Sequence, residues 1–135
     1  MGMVKFVNPE EPQWIVVESP SKDNPQVPEA EKVPLEVKVY YSGGKEHLEH
    51  PELVEMRSQP GTIAQPHAYD GHAVMYGLEG ELRFGQRTYG PGSVIFVEKD
   101  TPYAFRVGDQ VNRVLLFRPR GGVKYIPAER GEKQS

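Results

Sequence analysis

The chain has 135 residues, 37% of them hydrophobic and 26% charged, with a formal net charge of −3; that size and balance suit one globular domain. The mildly acidic balance, with no basic stripe, argues against nucleic acid as a partner, and no apolar run approaches the roughly 20 residues of a membrane helix. There is no cysteine, which excludes disulfides, thiolate metal sites and a cysteine nucleophile; with no signal-peptide core in Met1-Gly2-Met3-Val4-Lys5, the expected compartment is the cytoplasm.

Residues 1–34 read as a Pro-rich arm. Pro9, Pro12, Pro20, Pro25, Pro28 and Pro34 each fix φ and remove a backbone donor, and Trp14-Ile15-Val16-Val17 is the one good strand among them. A lone strand needs a sheet edge. It can take one on its own barrel or, by exchange, on the partner in a homodimer. Leu35 to Tyr40 alternates apolar and polar residues, the period of a half-buried strand. Gly43-Gly44 breaks it, and a polar loop follows from Glu46 to Glu52. Strands are expected over Leu53–Arg57, 62–69, 73–78 and Leu82–Phe84. Gly85-Gln86 then signals a two-residue hairpin into Arg87. Ser93 to Val97 is apolar on both faces, which predicts a strand between two layers and adds to the case for a homodimer. Tyr103–Val107 and Val111–Phe117 complete the set, and 119–135 reads as a polar tail. Turn signals about every 8–12 residues, with no sustained helical period, predict an all-β sandwich or barrel over 35–118.

Two stretches support a resemblance. Gly61-x5-His67, followed by Tyr76-Gly77-Leu78-Glu79-Gly80-Glu81-Leu82, resembles the first motif of the cupin superfamily. Gly90-Pro91-Gly92-Ser93-Val94-Ile95-Phe96-Val97, followed by Thr101-Pro102-Tyr103-Ala104-Phe105, resembles the second. The resemblance covers roughly residues 53–117 and implies a small RmlC-like cupin. Such a chain would be a double-stranded β-helix, or jelly-roll, barrel with a ligand cavity in its mouth, and is often dimeric. It also implies four metal-ligand positions, which here hold His67, Tyr69, Ala73 and Tyr103. Only His67 is a good ligand, because a phenol titrates near 10.

Three functions follow as expectations. In the first, no metal is needed. His67 serves as acid or base, Tyr69 and Tyr103 donate hydrogen bonds, and Gln65, Met75, Phe84, Phe96 and Phe105 line a pocket for a small organic ligand. That set suits a lyase, isomerase, dehydratase or cyclase. In the second, a one-residue bulge turns His72 inward to join His67, with Gln65 or Asp70, around an atypically bound divalent transition metal, as in a dioxygenase or isomerase. The third is a non-catalytic barrel that binds or senses a small ligand. The cluster Glu46-His47-Leu48-Glu49-His50 is neither H-E-x-x-H nor H-x-x-E-H, and reads as solvated loop or as a lid. Arg83, Arg87, Arg106 and Arg113 are expected to point outward, with room for one to turn in and hold a carboxylate.

Overall fold

Period-2 alternation decides which side chains enter the barrel, and the strands form close to where that pattern predicts. The computed structural model describes residues 2–19 and 22–127. Its strands are β1 (Trp14–Val17), β2 (Leu35–Tyr41), β3 (Glu52–Ser58), β4 (Ile63–Tyr69), β5 (Ala73–Glu79), β6 (Leu82–Phe84), β7 (Arg87–Tyr89), β8 (Val94–Val97), β9 (Tyr103–Val107), β10 (Asn112–Arg118) and β11 (Tyr125–Pro127). One sheet runs β1-β2-β3-β10-β5-β8 and the other β11-β4-β9-β6-β7. All the pairings are antiparallel, as a jelly roll requires.

The core lies between the sheets. Val54, Ala73, Met75 and Leu116 are buried from one sheet, with Phe84 and Tyr103 of the other packed against them. Leu82 and Val107 meet Val114 in a second buried cluster. Burying a side chain of this size is worth about 1.5–3 kcal/mol, so the inward rows hold the barrel shut. Gly85 and Gly80 show what the turns demand. Gly85 takes φ 60° at the first central position of the β6–β7 hairpin, the place where a type II′ turn needs it. Gly80 has φ 73°, and a Cβ there would lie 2.3 Å from the Val111 carbonyl oxygen.

Three segments refine the sequence reading. Strand β1 pairs with β2 of its own chain, Trp14 opposite Lys38. The Trp14 ring lies 4.0 Å from the Arg57 guanidinium and 5.0 Å from the Lys38 ammonium. Strand β8 is not sandwiched between layers. It is an edge strand, with Ile95 and Val97 against the core while Val94 is 62% and Phe96 60% exposed. Its second apolar row faces out of the barrel, where none of the described residues covers it. Within the stretch expected as a tail, Tyr125–Pro127 adds β11 to the edge beside β4; residues 128–135 lie outside the described residues. No helix among the described residues is long and apolar enough to cross a membrane.

Candidate functional site

The site grows from three adjacent strands. On β4 the inward parity carries His67 and Tyr69, beyond a register shift between Ala64 and His67 in which Gln65 lies, and on β9 it carries Tyr103 and Phe105. Register sets His67 opposite Tyr103 and, on the other side, Tyr125 of β11 opposite Tyr69. The rings consequently converge. The His67 centroid lies 4.4 Å from Tyr103, 5.3 Å from Tyr125 and 5.5 Å from Tyr69. Tyr69 and Tyr125 meet edge to face at 5.6 Å.

Hydrogen bonding fixes the chemistry of the imidazole. His67 is buried, and its Nδ1 lies 2.7 Å from the Gln65 carbonyl oxygen. A carbonyl only accepts, so Nδ1 carries the hydrogen and Nε2 keeps the lone pair. Burial lowers the His67 pKa below its ordinary 6.5; the hydrogen bond to Gln65 opposes that shift and the Arg118 charge assists it. Burial also pushes Tyr103 up to about 12 and raises Tyr69. At neutral pH the site therefore holds a neutral base and two phenols that keep their protons.

A cation completes it. Arg118 continues the inward row of Val114 and Leu116 on β10. Its Nη1 donates to Glu52 Oε2 at 2.7 Å, and its guanidinium lies 4.6 Å from the Tyr69 ring centroid. Its Nε–H is buried and without a partner among the described residues. Such a donor is costly unless something accepts from it.

Not every expected residue joins this group. Met75, Phe84 and Phe105 pack around Tyr103, with the Phe84 and Phe105 centroids 6.5 and 6.4 Å from it. The Gln65 side chain reaches the Tyr125 hydroxyl at 3.4 Å. Phe96 does not join this group; it lies on the outer face of β8. His72 does not turn inward to pair with His67. Its Nδ1 accepts the Lys99 backbone N–H at 3.0 Å and its ring lies 5.7 Å from the exposed Phe96. The reason is strand parity, since buried Ala73 and Met75 take the inward positions and no bulge intervenes. Asp70 is engaged elsewhere, accepting the Lys124 backbone N–H at 2.6 Å. The position where a cupin metal is implied thus offers one imidazole, two phenols held in their protonated form and the Ala73 methyl. That donor set does not fit a divalent ion.

Arg118, Glu52 and Tyr125 escaped the sequence reading. The row Val114-x-Leu116-x-Arg118 already carried the signal for Arg118, and pairing of β3 with β10 puts Glu52 opposite it. Tyr125 follows a Gly-bearing stretch with no periodicity and gave no signal.

No family model and no curated protein matches the chain. Solved structures do. The polyketide cyclase RemF from Streptomyces resistomycificus superposes with a TM-score of 0.65 at 19% identity, over 95% of this chain and 89% of that one. KdgF from a Halomonas species gives 0.62 at 20% identity, over 86% and 95% of the two chains. An RmlC-like cupin from Shewanella frigidimarina gives 0.59 at 14% identity, over 87% and 92%. At these identities the likeness is one of fold.

Proposed function

We propose that this chain, a cupin by fold, is an enzyme that moves a proton next to a carbonyl group in a small organic molecule, as a lyase, isomerase, dehydratase or cyclase does. The observation that carries the reading is the convergence of a neutral, buried His67 with Tyr69, Tyr103 and Arg118. His67 Nε2 takes the proton. The Tyr103 and Tyr69 hydroxyls donate to the oxygen on which charge develops. The Arg118 guanidinium, paired with Glu52 through Nη1, lies beside that charge, and its free Nε–H is available to an anionic oxygen. The inward phenyl rings of Phe84 and Phe105 give the substrate an apolar wall. A polyketide cyclase on the same fold is compatible with this chemistry without specifying the substrate. The metal-dependent reading has less support, because the His72 ring is engaged by the Lys99 backbone N–H and lies beside Phe96. A second copy of the chain is the expected partner, seated on the outer face where Val94 and Phe96 are bare.

The test needs no knowledge of the natural substrate. A panel of small ketones and β-keto acids is incubated with the protein in D2O, and α-proton exchange is followed by NMR. Catalysed exchange of at least one compound is expected, falling by about 10²–10⁴-fold in His67→Ala, the range of a general base. Binding of the panel with no exchange would favour a purely binding barrel. Exchange that survives His67→Ala would end the proposal.

A further inference from the structure

A second group of side chains lies outside the barrel interior, on the loop between β2 and β3. His47, Glu49 and His50 are the one trio of His, Cys, Asp or Glu donors that converges among the described residues, each offering one atom within 4.8 Å of the other two. His47 Nδ1 and His50 Nε2 each lie 3.6 Å from Glu49 Oε2. A tetrahedral ion with ligands at about 2.0–2.1 Å holds its donors about 3.3 Å apart. The two separations thus need to close by only a few tenths of an ångström. The third, between the two imidazoles, is bounded by the same 4.8 Å.

The loop is built to hold this arrangement. Gly121 N–H donates to the His50 carbonyl at 2.8 Å, Gly122 N–H to the Leu48 carbonyl at 3.0 Å, and His50 N–H to the His47 carbonyl at 3.1 Å. A Cβ on Gly43 would lie 2.2 Å from the His47 carbonyl oxygen and 2.8 Å from the Cβ atoms of both His47 and His50, so only glycine lets the backbone fold this tightly. The Tyr41 hydroxyl lies 2.6 Å from His50 Nδ1. If the imidazole donates to it, Nε2 is left as the lone-pair nitrogen facing Glu49, the outer-shell arrangement that orients metal-binding histidines. The two rings stack at 4.5 Å and 10°. One ion cannot lie in both planes, so one ring must turn. His47 is 55% exposed, and the terminal torsion of histidine is soft.

We propose that His47, Glu49 and His50 form a site for a divalent transition metal, of which zinc is the best match to two imidazoles and one carboxylate. Three protein donors leave a position open to water or to a ligand. The ion would clip the β2–β3 loop next to residues 121–122, which lead into β11. This site is independent of His67 and of the reaction proposed for it.

Chelator-stripped full-length protein is titrated with zinc by calorimetry, and with cobalt(II) by visible spectroscopy. One zinc per chain is expected, with d–d bands of a four- or five-coordinate cobalt ion. His47→Ala, Glu49→Gln and His50→Ala should each weaken binding at least tenfold. Tyr41→Phe should weaken it by roughly 10-fold through loss of the outer-shell contact. His67→Ala and His72→Ala should bind as the parent does. Melting curves of the zinc-free variants guard against misfolding, above all at half-buried His50 and Tyr41. Absence of saturable one-to-one binding, binding that survives all three ligand substitutions, or binding lost with His67→Ala would each overturn the site.

Discussion

Burial biases His67 against its proton, and that bias is linked to stability. Its folded pKa lies below the ordinary 6.5, so as pH falls past 6.5 the unfolded chain takes up the proton first. The contribution is fully present above pH 6.5 and is lost as pH falls through the folded value. Thermal unfolding between pH 7.5 and 5 should therefore show a melting temperature that drops less steeply with acid in His67→Gln than in the parent. An unchanged slope would mean that the imidazole is solvated. The same shift moves the acid limb of any His67-dependent exchange below pH 6.5. The alkaline limb waits for the phenols, Tyr69 raised above its ordinary 10 and Tyr103 to about 12, leaving a broad plateau below them. Arg118 has a different part. It lowers the tendency of both phenols to be neutral while disfavouring a charged imidazole, so one cation tunes three groups.

At the level of elements, β11 is the short edge strand that lies against the site. It spans three residues, pairs only with β4, and carries the Tyr125 ring that stacks over His67. A short edge strand opens at lower cost than a central one. Backbone amides of β11 should exchange with deuterium faster than those of β10, which pairs on both sides; equal protection would mean that the site is sealed. The strands that build the barrel were legible in the sequence because alternation, glycine turns and an Asn-free Gly85-Gln86 hairpin all agree with one another. That the His67, Tyr69 and Tyr103 rings lie together was legible because they share that parity. Phe96 was misplaced because an apolar residue on an edge strand looks the same whether its face is covered by the chain itself or left bare. His72 was misplaced because a bulge cannot be read from spacing. Tyr125 depends on a pairing between residues more than fifty positions apart, which local pattern does not carry.

At the scale of the whole molecule, one outer surface is apolar and exposed among the described residues. Tyr76 and Val94 face each other across β5 and β8, with Phe96 beside them, and these side chains are 44%, 62% and 60% exposed. That patch is the ground for proposing that a second copy docks here. Light scattering should return twice the chain mass, and Phe96→Glu should return the single-chain mass with the fold intact; a parent that runs as a single chain would remove the second copy from the picture. The arm brings its own reporter to that question. Trp14 is the one tryptophan in the sequence, and it is held between two cationic side chains on neighbouring strands. Its emission consequently follows the attachment of the first strand and almost nothing else. Whether that strand stays home or changes hosts can be watched in real time by eye of the spectrometer, with no label added.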